Sequence, residues 1–310
     1  MTRRKQVRRI KREKQQAKNP VLDWIEAFVW AAGMVLLANQ YLLQAYVIPS
    51  GSMINTLLIG DRIFVNKLIY GPELLPGLFK LPSPIKPARN DIIIFENPSY
   101  ISRGPVFDVA QRVIFMLTVS LVDIDRDELG QPRAHFLIKR AIGMGGDRFI
   151  MEKGEMKARF AGESRWVDER EFIAQRGWKH EISRLMESGQ YPALETAGKA
   201  EAWQDLGLSV PERLQTAAMP VSSIRYPDRY ARQKARLETL RGALPHNRRY
   251  AEESARYSLG WYVPQGRILP LGDNRDNSHD GRYFGPVRVT KVLGKGALIF
   301  WPLKRIGPIR

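Results

Sequence analysis

The sequence contains no cysteine and only four histidines among its 310 residues. The absence of cysteine excludes disulfides, iron–sulfur clusters, cysteine-rich zinc sites and thiolate nucleophiles. The fold therefore depends on a hydrophobic core, and a chain of this length with 44% apolar residues supplies one, in about two domains. Covalent chemistry is left to hydroxyl and amine groups, which react only beside a base or with a shifted pKa.

Acidic residues are scarce at the N-terminus, where positive charge is concentrated. Residues 1–20 contain nine lysines or arginines and a single acid, Glu13, and so carry +8 of the formal net charge of +17. Such a block beside an apolar run is typical of the cytoplasmic flank of a membrane helix. Binding to nucleic acid is the competing interpretation, and it predicts an affinity that falls with salt.

The apolar run that follows is long enough to cross a membrane. Residues 27–48 are 22 consecutive positions without a charge, and about 20 residues cross the hydrocarbon core as a helix. A cleaved signal peptide and a buried core helix are the alternatives; residues 45–47 offer no small-x-small cleavage site. We predict a transmembrane anchor over residues 21–48, ended by Pro49, with residues 1–20 forming a basic cytoplasmic segment.

Beyond the anchor, short segments rich in β-branched residues predict strands. These segments are residues 62–67, 91–95, 136–142, 148–151, 267–271 and 297–301. Because long helices do not alternate with them, we expect a mainly β protein with an antiparallel β core in two parts, residues 49–151 and 258–310. Residues 152–257 predict a mostly helical insertion, or cap, with helical patterns over residues 167–187 and 227–244.

Residues 105–122 interrupt the β pattern. Their uncharged run, residues 113–122, is too short to cross a bilayer. Either an element of the core or a segment lying on the membrane surface fits this pattern, and the sequence leaves both open.

Ser52 and Lys139 are the candidate groups for nucleophilic chemistry. Ser52 lies among small residues, where the backbone can approach a ligand closely, but a serine reacts only when a base takes its proton. Lys139 lies inside an apolar strand, where burial would lower the pKa of its amine and make it a base. A lysine at the strand edge facing water is the equally supported alternative.

Histidine is the other candidate base. His279 lies in a polar cluster and is the credible member of a catalytic triad. His180 and His246 fall in the charged insertion, where we expect them in solvent, and His135 precedes a strand that it is expected to cap.

A dense polar loop, residues 272–285, follows the apolar strand at residues 267–271. Alternating aspartates and arginines predict an ionic network that holds neighbouring strands together. The competing interpretation is a calcium loop formed by Asp273, Asn274, Asp276 and Asn277. It is disfavoured because the EF-hand spacing and its terminal glutamate are missing.

Three motifs, in this order and directly after an anchor, resemble those of bacterial type I signal peptidases, the membrane-anchored Ser/Lys endopeptidases that remove signal peptides from exported proteins. They are Pro49-Ser50-Gly51-Ser52-Met53 with Thr56-Leu57 and Gly60-Asp61, Ile138-Lys139-Arg140-Ala141-Ile142-Gly143 with Gly146-Asp147, and Gly272-Asp273-Asn274-Arg275-Asp276-Asn277-Ser278 with Asp280, Arg282, Tyr283 and Gly285. The resemblance covers residues 21–151 and 258–310 and leaves the cap unexplained.

The resemblance implies a role for each matched position. Ser52 is the implied nucleophile and Lys139 its general base, while the Ser52 N–H and the Ser50 hydroxyl form the implied oxyanion hole. Ser278 is implied to orient Lys139. The other implied residues are the structural supports Arg140, Asp273, Asp280 and Arg282, and the substrate-pocket residues Ile48, Leu57 and Ile138.

The implied reaction is cleavage of preproteins after a small-x-small site through an acyl-enzyme, with no metal or cofactor. The implied partners are signal-peptide-bearing preproteins and the lipid bilayer, in proximity to the secretion machinery, with no nucleic acid expected. The implied location is the bacterial cytoplasmic (inner) membrane, spanned once, with the catalytic domain outside. A non-catalytic, membrane-tethered binding or assembly factor is the alternative, and it would tolerate Ser52→Ala.

Two positions depart from the family pattern. Asn55 stands where the family usually has proline, which predicts a changed turn beside the nucleophile without loss of a catalytic group. Leu137 stands two residues before the lysine, where the family often has an aromatic side chain, so the shape of the substrate pocket is left open.

Overall fold

The computed structural model describes residues 20–75, 79–118, 122–128, 130, 133–225 and 227–309. The basic segment predicted for residues 1–20 lies outside the described residues except for Pro20. Three residues of the uncharged run at 113–122, residues 119–121, also lie outside them.

The described residues form eight α-helices and fourteen strands. The helices are α1 (Pro20–Tyr41), α2 (Pro105–Leu117), α3 (Glu169–Gln175), α4 (Tyr191–Asp205), α5 (Glu212–Ala218), α6 (Arg229–Ala243), α7 (Arg248–Leu259) and α8 (Gly281–Phe284). The strands are β1 (Leu43–Val47), β2 (Arg62–Asn66), β3 (Glu73–Leu75), β4 (Phe79–Lys80), β5 (Ile92–Glu96), β6 (Phe136–Gly143), β7 (Arg148–Glu152), β8 (Glu155–Arg159), β9 (Val167–Asp168), β10 (Trp261–Tyr262), β11 (Arg267–Leu271), β12 (Val287–Arg288), β13 (Val292–Trp301) and β14 (Gly307–Pro308).

Helix α1 is the one helix in the described part of the chain that is long and apolar enough to cross a membrane. Its large apolar side chains, among them Trp24, Phe28 and Trp30, are exposed. The prediction that this helix continues to residue 48 is wrong, because it ends at Tyr41. The next residues form β1, which pairs antiparallel with β2.

Polar side chains explain this early end. Gln40 and Gln44 are buried, and both find partners in the β domain. The side-chain amide of Gln40 donates to the Glu73 carbonyl at 3.1 Å, and Gln44 accepts from the Lys67 ammonium at 3.1 Å and from the Tyr46 hydroxyl at 3.0 Å. Buried amides need such partners, which lipid cannot supply, so the last part of the predicted span belongs to the globular domain.

The main sheet has eight strands, in the order β1-β2-β13-β5-β6-β11-β12, with β14 added on β13. Each of these neighbouring pairs is antiparallel, which confirms the predicted antiparallel core. All six predicted strand segments are present, although β13 begins at Val292 rather than at residue 297. β5 is buried along nearly its whole length, as its uninterrupted Ile-Ile-Ile-Phe run requires.

A second sheet has the order β10-β7-β8-β9. Its strands β8 and β9 lie at the start of the segment predicted as a helical cap, so the cap begins later than expected. The turn between β7 and β8 explains the difference: Glu152 is paired with Glu155, and Lys153 and Gly154 both have positive φ, 46° and 81°. Two left-handed residues form the tight turn that suits a two-residue hairpin.

The cap itself is helical, as predicted. The pattern over residues 227–244 corresponds to α6, whereas the pattern over residues 167–187 yields only α3. Helices α4 and α6 pack closely at Gly198, where a Cβ would lie 2.3 Å from the Arg232 carbonyl oxygen. Buried Leu194 on α4 and Leu237 on α6 lie in the cap's two apolar clusters.

Helix α2 contains most of the segment at residues 105–122. Its Phe115 packs against the apolar core of the main sheet, with ring centroids 6.4 Å from Tyr46. Val106 and Val109 are exposed. The helix therefore contributes to the core through one side chain while its N-terminal half remains accessible.

Candidate active site

Ser52 lies in a single 3-10 turn, Gly51–Met53, between β1 and β2, and only 7% of its surface is exposed. The polar loop after β11 holds this turn. The backbone N–H of Asn274 donates to the Ser52 carbonyl, and the Asn274 side-chain amide donates to the Gly51 carbonyl, both at 3.0 Å. Because two hydrogen bonds from one residue hold successive carbonyls, the position of the Ser52 side chain is well defined.

Lys139 lies on β6, between β5 and β11, and is 4% exposed. Its ammonium donates to the Ser52 hydroxyl at 2.7 Å and to the Ile138 carbonyl at 3.0 Å. Burial lowers the pKa of Lys139 to about 8, against the opposing effect of Asp280 and Asp273. The structure thus places Lys139 inside the protein and joins it to Ser52, whereas the sequence left the buried and exposed positions equally supported.

The predicted oxyanion and orienting residues lie close to this pair. The Ser50 hydroxyl is 3.5 Å from the Ser52 hydroxyl. The Ser278 hydroxyl is buried, and the predicted hydrogen bond to Lys139 is not formed. Gly272 lies directly against it, and a Cβ there would lie 2.2 Å from the Ser278 hydroxyl oxygen.

Arg140 and Asp273 form a buried ion pair near the Ser52 turn. The Arg140 guanidinium donates to both carboxylate oxygens of Asp273, at 2.8 and 2.7 Å, and Thr56 donates to the same carboxylate at 2.6 Å. Burial alone would raise the pKa of Asp273, but Arg140 and Thr56 hold it below its usual value. This pair joins β6, the polar loop and the segment after Ser52. Sequence reasoning missed the contribution of Thr56.

Asp280 and Arg282 form a second buried pair. The Asp280 carboxylate accepts from the Arg282 guanidinium at 2.8 Å and from the Gly272 N–H at 2.9 Å. Burial opposes ionisation of Asp280, yet the charge of Arg282 keeps its pKa below the usual value. Arg282 also donates to the carbonyls of Arg275 and Ser278, so it closes the loop on itself.

A third buried pair connects this loop to the cap. Arg275 donates to both carboxylate oxygens of Glu169, one of them at 2.8 Å. Asp276 accepts from the N–H groups of Leu185 and Met186 and lies 2.9 Å from the Arg184 guanidinium. Sequence reasoning missed these cap partners, because ion pairs between distant segments leave no local pattern.

Ser52 and Lys139 line a cavity of about 500 Å³. Its apolar wall contains Ile48, Ile138 and Phe115, and the predicted pocket residues Ile48 and Ile138 therefore line it. Leu57, the third, does not: it is fully buried in the core beside Met53. The side chain lies behind the pocket wall rather than on its surface.

A second cavity, of about 670 Å³, opens on the other side of the same pair. It shares Ser52, Lys139 and Leu137 with the first cavity, so Leu137 lies where the two meet. Five cap residues form part of the wall of this second cavity: Arg225, Pro227, Arg229, Gln233 and Tyr257. Sequence reasoning found no chemical motif in the cap and so missed this contribution.

Among the described residues, the histidines form no hydrogen bond with Ser52. His279 lines the second cavity, where its Nε2 is 3.5 Å from the Ser99 hydroxyl and its ring stacks on Tyr283. The expectation that His180 is in solvent is wrong: it is buried, and burial lowers its pKa to about 4. His135 is buried beside Asp125, at 3.0 Å.

Asn55 shows why the turn after the nucleophile departs from the proline pattern. Its φ is 79°, in the left-handed region. Proline is restricted to a φ of about −65° and cannot adopt this conformation. Asparagine tolerates it because its short polar side chain bonds locally.

Comparison with known proteins gives one consistent result. A family model described as signal peptidase, peptidase S26, matches residues 21–165 and 213–301. The chain is 25% identical over 298 residues to signal peptidase I of Haemophilus influenzae, covering 91% of this chain and 70% of that protein. It is 25% identical over 272 residues to signal peptidase I of Aquifex aeolicus (86% and 79%) and 27% identical over 278 residues to that of Pseudomonas aeruginosa (89% and 68%). The unmatched residues 166–212 contain α3 and α4.

Proposed function

The chain belongs to the signal peptidase S26 family of peptidases, and from that premise we propose that it cleaves signal peptides from exported preproteins with Ser52 as nucleophile and Lys139 as general base. The observation that carries the proposal is the 2.7 Å hydrogen bond between these two side chains in a buried site. The lowered pKa of Lys139, about 8, supports it, because roughly a fifth of the amine is then neutral at about pH 7.4, against about a thousandth at the ordinary pKa.

In the proposed reaction the Ser52 oxygen attacks the scissile carbonyl and Lys139 takes the serine proton. The negative charge on the carbonyl oxygen is stabilised by the Ser52 N–H and the Ser50 hydroxyl. Lys139 then donates its proton to the leaving amine, which departs as the N-terminus of the mature protein. Water, activated by Lys139, hydrolyses the resulting ester and restores Ser52.

Supporting residues have proposed roles of their own. Asn274 holds the backbone of the Ser52 turn, and the Arg140–Asp273 and Asp280–Arg282 pairs hold the polar loop against β6. Ser278 lines the second cavity together with Lys139, and we propose that its hydroxyl orients the amine during the reaction.

Two strand edges favour an extended substrate. In the described chain β1 pairs only with β2, and β11 covers β6 only from Arg140 onward, so the segment of β6 before Lys139 has one free edge. An extended peptide can add to such edges by backbone hydrogen bonding. Its side chains would then enter the apolar cavity at Ile48 and Ile138, whose wall also contains the rings of Tyr46, Phe115 and Phe136.

The proposal also includes the position of the chain relative to the bilayer. We propose that α1 crosses the inner membrane with its N-terminal side in the cytoplasm, because the basic segment precedes it. β1 begins two residues after α1 ends, so the Ser52 turn is held near the outer membrane face. A signal peptide leaving the bilayer would present its cleavage site at that level, close to the secretion machinery.

The dyad is tested by cleavage of a preprotein with the detergent-solubilised full chain. We expect Ser52→Ala and Lys139→Met each to reduce the rate by at least about 10³-fold, because removal of nucleophile or base disables the unit as a whole. Lys157→Met is the matched control, since Lys157 is a half-buried lysine on β8, away from Ser52, that forms an ion pair with Glu152. Cleavage retained by folded Lys139→Met would contradict the dyad, and function retained by Ser52→Ala would favour a tethered binding factor.

A further inference from the structure

The two cavities at Ser52 and Lys139 are lined by different parts of the chain. The first is lined by β1, β6, α2 and the segment before β6, which supplies Asp123, Arg126 and Arg133, and the second is lined largely by the polar loop and the cap. Ser52 and Lys139 lie on the boundary between them. A polypeptide whose scissile bond lies at Ser52 must therefore extend into both, with the residues before the bond in one cavity and those after it in the other.

The position of α1 decides which half of the substrate occupies which cavity. β1 continues from α1 and supplies Tyr46, Val47 and Ile48 to the first cavity. A signal peptide held in the bilayer reaches the site from that side. The residues after the scissile bond, the first residues of the mature protein, are then directed into the second cavity, against the cap.

The second cavity carries positive charge from the cap. Arg225 and Arg229 line it, and no ion pair joins Arg229 to an acid among the described residues. The carboxylate in its wall, Asp276, is already engaged by Arg184 and by two backbone N–H groups. Arg229 also occupies the first turn of α6, where the helix dipole disfavours a cation, so its position is not explained by helix stability.

We infer that the cap forms the binding surface for the first residues of the mature protein and that Arg229 makes this surface selective for an acidic side chain there. The inference rests on the proposed function, since it assigns the second half of the same substrate. Arg229 is a specificity-determining residue in this assignment. It touches neither Ser52 nor the scissile bond, and its effect is confined to the choice among substrates.

The test uses three preproteins that differ only at mature positions two to four, which carry Glu, Gln or Lys. We expect the unaltered full chain to cleave the Glu substrate about three- to fivefold better than the Lys substrate in kcat/KM, the size expected of one partly exposed charge pair. Arg229→Gln should bring this ratio close to one, and Arg229→Glu should invert it. Because exposed charges are screened, the preference should shrink as salt is raised.

Arg241→Gln is the matched control, because Arg241 is an exposed arginine at the other end of the same helix. It should leave the ratio unchanged. A Glu-to-Lys ratio that is the same in Arg229→Glu as in the unaltered chain overturns the inference. If the unaltered chain cleaves the Gln substrate, the proposed function stands whatever the Glu-to-Lys ratio. If the unaltered chain cleaves none of the three substrates, the proposed function is overturned and the inference with it.

Discussion

At the scale of single residues, the proposed mechanism makes the reaction depend on the protonation of the buried Lys139 amine. In that mechanism the neutral amine is the base, and the pKa of Lys139, about 8, lies well below the usual 10.5 because of burial. We therefore expect kcat/KM to rise with pH up to about 8 and to level off above it. A pH–rate profile of the solubilised chain with one preprotein measures this, and an ascending limb centred near pH 10 would contradict it.

The pH dependence of protein stability provides an independent test of the lowered pKa of Lys139. In the unfolded chain Lys139 keeps its ordinary pKa, so between about pH 8 and 10 the unfolded state binds more protons than the folded state. Stability therefore rises with pH over this range, and below it the buried charge costs about 3 kcal/mol. Lys139→Met removes the charge. The melting temperatures of the two proteins should converge as pH rises, and parallel curves would show that the pKa is not lowered.

The backbone conformation of Asn55, three residues after Ser52, leads to a separate prediction. Because its φ is 79°, Asn55→Pro should lower the free energy of unfolding by more than about 1 kcal/mol and reduce cleavage by displacing the Ser52 turn. Asn55→Gly, which adopts the same φ freely, is the matched control and should retain activity. Thermal unfolding and kcat/KM measure both effects. A stabilised Asn55→Pro variant would mean that the turn follows the proline pattern of the family.

At the scale of elements, the contact between α4 and α6 determines where the cap's arginines lie. Gly198→Ala should destabilise the cap by about 1–2 kcal/mol, because the new methyl group would overlap the Arg232 carbonyl on α6. Gly242→Ala on α6 meets no atom within 4 Å, and should stabilise by about 0.5–1 kcal/mol through helix propensity. Thermal melts of the two variants should therefore shift in opposite directions. A shift in the same direction would disprove the close contact.

Hydrophobic patterns predicted the main elements and missed the short ones. β5 and β6 are recognisable because their runs of β-branched residues are local features of the chain. β8 and β9 carry charged residues, and β8 depends on pairing with β7 and β9 on pairing with β8, so composition favoured a helix there. The end of α1 was misplaced for a related reason: the amides of Gln40 and Gln44 are satisfied by Glu73 and Lys67, residues well beyond the apolar run.

At the scale of the whole molecule, three distant segments meet at one site. The Ser52 turn lies between β1 and β2, Lys139 lies on β6, and the polar loop follows β11. The sheet brings these strands together, and buried ion pairs lock the loops between them. Since each pair joins residues far apart in sequence, removal of one partner would leave an unpaired buried charge and disturb the entire site.

The sequence by itself determined the apolar helix, the antiparallel core and the identity of the candidate nucleophile and base, since these depend on local composition and on motifs that the family shares. Only the tertiary structure decided that Lys139 is buried against Ser52, that Leu57 lies behind the pocket rather than in it, and that the cap lines a cavity at Ser52 and Lys139. Burial and contact between distant segments are properties of the folded chain, because they arise from the way strands and helices pack and not from the residues next to each position.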